Sequence, residues 1–233
     1  MATYVIGDIH NSLQKLEEML KLISPATQDH VIFLGDLFDR GGAKPDPVGV
    51  YFQILGLSAK VTWIRGNHDQ LLAEYIFRYF ETPEKKRQSL RPYPYNSFDL
   101  MRARLVEVDL LELADTIRKL PLQVEIETGT TKYLLAHAMT SDPANGEREA
   151  KAYLEGAGAP PGYLDNGVDG YVSLVGYRDS SYQCGNPKGS YLDGQYSVWR
   201  NERGNLFMMD CGCGLPNGRL AGMCLETGER FYV

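Results

Sequence analysis

Histidine and cysteine are scarce in this chain, 4 of each among 233 residues, and there are only 2 tryptophans. So few imidazoles make each position informative, because histidine is the commonest metal ligand and acid–base side chain. Long apolar runs are missing too. No stretch of about 18 apolar residues occurs, so no membrane-spanning helix is expected. The start, MATYVIGDIH, has no basic stretch, no long apolar core and no cleavage site, so it does not read as a secretory leader. Positive charge is in deficit, with 24 Lys+Arg against 30 Asp+Glu and a net charge of −6. That argues against a nucleic-acid or membrane-surface binder built on basic excess, though not against a small basic pocket. Cys184, Cys211, Cys213 and Cys224 are expected to be free thiols in a reducing cytoplasm. Cys211-Gly-Cys213 also lacks the C-x-x-C spacing of zinc or redox sites.

What is present is ordinary for a globular protein: 43% hydrophobic and 23% charged residues. This excludes a disordered tail, a collagen or a coiled-coil rod. The length suits one α/β domain spanning residues 1–233. Tyr4-Val5-Ile6, residues 31–34 and residues 61–64 read as short strands, each ending in a polar cluster. Between them, Leu13, Leu16, Leu20 and Ile23 recur at helical spacing, with Asn11 or Ser12 as N-cap, and residues 48–57 read as a second helix. Residues 70–120 read as a helical insertion. Leu71, Leu72, Tyr75, Ile76 and Tyr79 form one pattern, and Phe98, Met101, Leu105, Val108, Leu111 and Leu113 form another. Between these patterns, the charged segment 82–96 with three prolines reads as an exposed loop. Beyond Pro121 the chain looks strand-rich. A hairpin is expected around Gly129, with further strands at 171–175, 196–200, 206–209, 218–225 and 231–233, and helix near 146–155.

The polar clusters are Gly7-Asp8-Ile9-His10, Gly35-Asp36-Leu37-Phe38-Asp39-Arg40-Gly41 and Gly66-Asn67-His68-Asp69. His137 closes a fourth apolar strand. In α/β sheets such strand ends converge on one crevice. Carboxylate, imidazole and amide donors without thiols suit Mn²⁺, Fe or Zn²⁺, and paired ions need a bridging carboxylate. Such a pair acidifies a water and neutralises phosphoryl charge. His68 with Asp39 could form a proton-donating pair, and Arg40 offers a fork for phosphate oxygens. Taken singly, Asp8 reads as a helix cap, Asn67 as a turn residue, Arg40 as a surface cation and His137 as a core imidazole. Taken together, three of the four histidines sit at motif positions, which chance spacing does not give. His30 is the exception and is expected at a surface or helix end.

GDIH, GDLFDRG and RGNHD in this order resemble the phosphoprotein phosphatase branch of the calcineurin-like metallophosphoesterases, of the compact bacterial and phage serine/threonine protein phosphatase type. The tail, with Met209-Asp210-Cys211-Gly212-Cys213 and Gly218-Arg219-Leu220-Ala221, is similar to that family's end strands. The resemblance implies two mixed β-sheets flanked by helices in four layers. It implies Asp8 and His10 on one metal, Asp36 bridging, and Asn67 and His137 on a second. It further implies His68 as general acid with Asp39, and Arg40, Asn67 and, less directly, Arg65 on substrate phosphate. Two divalent ions are implied, Mn²⁺ first.

One departure stands out. The family pattern asks for a late strand-end histidine, and Val175-Gly176-Tyr177-Arg178-Asp179 occupies its place. Tyr177, Asp179 or a water would substitute, or the second metal binds weakly. Arg148 and Arg178 are candidates for a second phosphate-binding arginine. The first expectation for function is hydrolysis of phosphomonoesters, of the phosphoserine or phosphothreonine protein phosphatase kind. Cleavage of dinucleoside polyphosphates and of small phosphorylated metabolites are alternatives, as is a degenerate phosphatase that binds phosphorylated partners without turnover. The partners expected are thus phosphorylated proteins or small phosphorylated molecules. The 15 tyrosines, Tyr93, Tyr95, Tyr182 and Tyr191 among them, are expected to pack at the surface or in the core.

Overall fold

In the computed structural model, residues 1–177, 191–192, 195–215 and 217–233 are described. Strands β1 (Thr3–Ile6), β2 (His30–Phe33) and β3 (Lys60–Trp63) run parallel. Parallel neighbours need crossover connections, and α1 (Leu13–Ile23) and α2 (Pro47–Leu55) supply them. α1 buries Leu16, Met19, Leu20 and Ile23 along one stripe. Ser12 is its N-cap by position but makes no side-chain cap bond. Pro47 opens α2, and the Asp46 carboxylate accepts from the Gly49 N–H at 2.8 Å.

Antiparallel β11 (Ala221–Cys224) and β12 (Arg230–Tyr232) extend this sheet in the order β12-β11-β1-β2-β3. The second sheet is also mixed and five-stranded. Its strands are β4 (Gln123–Thr128), β5 (Thr131–Ala136), β6 (Val172–Val175), β9 (Trp199–Arg200) and β10 (Leu206–Met208), in the order β4-β5-β6-β10-β9. Within it β5, β6 and β10 are parallel. Two short strands, β7 (Tyr191–Leu192) and β8 (Gln195–Tyr196), pair as a separate ribbon.

Side-chain alternation along the strands builds the layers. Val5, Ile32 and Leu34 join Tyr133, Leu135 and Leu174 in a core between the sheets, whereas Ile6, Val31 and Phe33 join the helices outside the first sheet. A third cluster, with Met139, Tyr163, Val175 and Leu206, covers the far face of the second sheet beneath α7 (Ala150–Glu155) and α8 (Tyr163–Asn166). The result is the expected order of helices, sheet, sheet and helices.

The insertion differs from its sequence pattern in two places. α3 (Asn67–Glu81) is followed by a short α4 (Glu84–Arg87), and the second helical pattern divides into α5 (Ser97–Arg102) and α6 (Glu107–Lys119). The break comes where Asp109 accepts from the Val106 N–H at 3.2 Å and restarts the helix. Val108 is therefore 56% exposed, and Leu110, Leu113, Ala114 and Ile117 carry the buried face. The segment 82–96, expected to be an exposed loop, sends Tyr93 into the interior at 7% exposure. The strand expected at 196–200 is split between the end of β8 and β9.

Candidate metal centre

The polar clusters lie just past the carboxyl ends of β1, β2 and β3, where open α/β sheets form their sites. His137 follows β5 directly. His10, Asn11, Asp36, Asp39, Arg40 and Tyr177 all have left-handed backbones, with φ from +48° to +75°. Each such non-glycine residue costs on the order of 1 kcal/mol and persists only where its surroundings hold it. Gly66 is required by close approach, since a Cβ there would lie 2.2 Å from both the nitrogen and Oδ1 of Asp36.

Asp69 holds the Asp36 loop in place. Its carboxylate accepts from the N–H groups of Asp36 and Leu37, each at 3.0 Å, and of Gly66 at 2.9 Å, and from Trp63 Nε1 at 3.2 Å. Asp36 in turn accepts from the His68 N–H at 2.9 Å, at the first turn of α3. A helix N-terminus favours an anion there.

Three donor groups, on Asp8, His10 and Asp36, lie within 4.8 Å of one another, all buried. His10 Nδ1 is 3.0 Å from Phe38 O, and His137 Nδ1 is 2.9 Å from Leu34 O. A carbonyl can only accept, so both Nδ1 atoms carry protons and both Nε2 atoms face the centre. Such outer partners orient metal-binding imidazoles. His137 Nε2 lies 2.9 Å from Asn67 Oδ1 and 3.4 Å from Asp36 Oδ1, and His10 Nε2 lies 3.9 Å from Asp36 Oδ2. Asp36 thus stands between the two imidazoles. Asp8 Oδ1 is buried without a hydrogen-bond partner, while Oδ2 accepts from the Tyr177 N–H at 3.2 Å.

The electrostatics call for a cation. Burial, then the charge of Asp210, pushes the Asp8 carboxyl well above its ordinary range. Asp210 is itself buried, and its Oδ1 accepts from the Gly212 N–H at 2.8 Å. Burial would raise Asp36 too, but His137 reverses this, with His68 and His10 adding to it, and the net shift is downward. Burial lowers His10 to about 4, helped by Arg40 and His68. Burial also pulls on His137, but Asp36 and Asp8 override it and raise it to about 10. An orphaned carboxylate oxygen, two oriented imidazoles and converging acids fit a divalent ion.

The remaining predicted residues divide. His68 Nδ1 meets Asp39 Oδ2 at 2.9 Å, with both side chains buried. Arg40 reaches in from the rim, its Nη1 3.3 Å from His10 Nε2 and its Nη2 3.3 Å from His68 Nε2. Arg65 is not brought in: it donates to Gln70 Oε1 at 2.9 Å and Leu120 O at 3.0 Å, tying α3 to the end of α6. Arg148 and Arg65 line a separate cleft of about 590 Å³, beside Gln123 and Tyr153. His30 bonds Thr62 Oγ1 at 2.8 Å within the first sheet. Arg178, Asp179, Tyr182 and Cys184 lie outside the described residues, as does the Tyr191 side chain.

Sequence reading missed several residues that touch these groups. Tyr93 Oη donates to Asp39 Oδ2 at 2.6 Å, and the Tyr95 ring leans on the His68 ring at 4.5 Å between centroids. The Asp39 N–H donates to Ser97 Oγ at 2.6 Å. These residues follow no spacing rule. Asp69 and Asp210 sat inside or beside quoted motifs, and only their burial reveals what they do.

The chain matches the family of calcineurin-like phosphoesterases over residues 1–190. It is 32% identical over 141 residues to a symmetrical bis(5'-nucleosyl)-tetraphosphatase of Proteus mirabilis, a match that covers 59% of this chain and 44% of that protein. The chain therefore matches less than half of that relative's length. Among solved structures, a protein provisionally described as a diadenosine tetraphosphatase aligns over 100% of this chain and 92% of its own, with TM-score 0.58 and 16% identity. A serine/threonine protein phosphatase of Saccharomyces cerevisiae aligns over 100% and 80%, with TM-score 0.57 and 15% identity. Both structural likenesses show the shared fold.

Proposed function

The chain belongs to the calcineurin-like phosphoesterases, and we propose that it is a metal-dependent hydrolase of dinucleoside polyphosphates. The observation that carries the chemistry is the buried Asp8–His10–Asp36 group, with Arg40 reaching across it. Divalent ions held there would supply a hydrolytic water of lowered pKa and would neutralise charge on the phosphoryl oxygens. Asp8, His10 and Asp36 would hold one ion, Mn²⁺ being the first choice for this donor set. Asp36, Asn67 and His137 would hold a second, with Tyr177 where a further histidine is expected. Arg40 binds the phosphate as a fork. His68, oriented by Asp39, protonates the leaving oxygen.

The substrate class rests on the Proteus relative, which is named for cleaving bis(5'-nucleosyl) tetraphosphates symmetrically. It displaces the first expectation, a phosphoprotein phosphatase, since the likeness to the yeast phosphatase is one of fold alone. A symmetrical cut of such a tetraphosphate leaves two nucleoside diphosphates. The intact His68–Asp39 pair also suits poorer leaving groups, so monoesters remain a second reading. It speaks against a degenerate binder as well, because the proton donor is in place.

The test is a panel with Mn²⁺: diadenosine tetraphosphate, p-nitrophenyl phosphate and a phosphoserine peptide, with products separated by chromatography. The expected result is ADP from diadenosine tetraphosphate, faster than phosphate from either other substrate. Preferential dephosphorylation of the peptide would restore the protein phosphatase reading. Phosphate binding with no turnover of any substrate would favour the degenerate one.

A further inference from the structure

Asp39 is wholly buried on a left-handed backbone, with φ of +68°. Its Oδ1 has no hydrogen-bond partner, so the carboxylate is held entirely through Oδ2. Two donors meet there: His68 Nδ1 at 2.9 Å and Tyr93 Oη at 2.6 Å. With the imidazole alone, the carboxylate and ring could swing together. A second donor fixed elsewhere removes that freedom.

Tyr93 is so fixed. Its ring packs on Tyr75 at 5.1 Å and on Phe98 at 6.5 Å, and so is locked between α3 and α5. The insertion ties down Asp39 a second time, through Ser97 Oγ of α5 on its N–H. Tyr95 sets its ring against that of His68. Burial, then the charge of Asp39, pushes the Tyr93 phenol far above its ordinary range, so it remains a donor at every working pH.

We propose that Tyr93 is a positioning residue of the proton-donating pair: it pins Asp39, and through Asp39 it aims His68 at the leaving oxygen. The inference rests on the assignment of His68 as general acid. It gives the insertion a part in the chemistry, because the residue that pins the pair comes from the segment between α4 and α5. Among the described residues the phenol's hydrogen bond goes to Asp39, and the phenol acts through it.

The test uses Tyr93→Phe, which keeps the ring and removes one hydroxyl, beside His68→Asn. Turnover of phenyl phosphate, a poor leaving group, is compared with p-nitrophenyl phosphate, a good one, at saturating Mn²⁺. Tyr93→Phe should lower kcat on phenyl phosphate at least tenfold, leave p-nitrophenyl phosphate within twofold, and leave KM unchanged. Adding it to His68→Asn should cost nothing more, as residues acting as one unit are not additive. If His68→Asn slows both substrates equally, the general-acid assignment fails. If His68→Asn is selective and Tyr93→Phe is not, the present inference alone is overturned. An activity-independent readout is the NMR signal of the His68 Nδ1 proton. Its exchange with water should quicken at least tenfold in Tyr93→Phe, and an unchanged rate would overturn the inference even if neither ester is turned over.

Discussion

On the first sheet, Asp8, His10 and Asp36 bring three buried donor groups within 4.8 Å, and His10, lowered to about 4, is neutral at physiological pH. On the second sheet, His137 is raised to about 10 and holds a proton, and its neighbour across the strand end is the Tyr177 ring, 5.5 Å away. The imidazole of the first half offers a lone pair to a cation. The imidazole of the second must first give up a proton, and beside it stands a tyrosine where another imidazole is expected. Two sites that share Asp36 can therefore differ in affinity because of the imidazole on each side. Burial lowers both imidazoles, but at His137 Asp36 and Asp8 override it, whereas at His10 Asp36 is opposed by Arg40 and His68.

Removing the shared residue should erase the comparison altogether. Asp36→Asn is expected to cut turnover of diadenosine tetraphosphate roughly a thousandfold or more, since metal centres supply several kcal/mol and each 1.4 kcal/mol is about tenfold. Equilibrium dialysis should find both ions weakened. Retention of one tight ion with full activity would break the bridging assignment.

The next effect sharpens the inequality. Mn²⁺ titration of the intact protein should show one tight and one weak site. A metal at the weak site competes with the proton on His137, so its affinity should rise with pH, by up to about tenfold per unit between pH 6 and 9. The sign follows from a raised pKa: below about 10 the proton is bound and opposes the metal. Two equally tight sites, or a weak site indifferent to pH, would refute the comparison. Tyr177→His comes third. It should tighten the weak site about tenfold, the low end of what one partner in a ligand shell contributes, and leave the tight site alone. Smallest is Arg65→Ala. Because Arg65 spends its donors on Gln70 and Leu120, the KM for substrate should change less than about threefold, while the melting temperature falls.

Much of the centre was legible because its motifs are short and local. Gly35-Asp36 and Gly66-Asn67-His68 sit at strand ends whose apolar runs announce themselves, and parallel pairing brings those ends together. Arg65 was misplaced by the same logic: adjacency to Gly66 suggested the site, but its long side chain leaves the motif for Leu120. The division between α5 and α6 was hidden because apolar residues three and four apart fit one helix or two. Tyr93 was hidden for a different reason, since a proline-bearing segment between helices has no periodicity to reveal an inward residue.

By itself the sequence determined the α/β class, the order of the strand ends and the donor types gathered there, because hydrophobic period and motif spacing are written along the chain. Only the tertiary structure decided which nitrogen of each imidazole faces inward, which carboxylate oxygen is left without a partner, and that a tyrosine from the insertion shares an oxygen of Asp39. Those features depend on burial and on contacts between residues far apart in sequence, such as Tyr93 with Asp39 and His137 with Leu34. No local pattern encodes a hydrogen bond that exists only once two sheets and an insertion have packed.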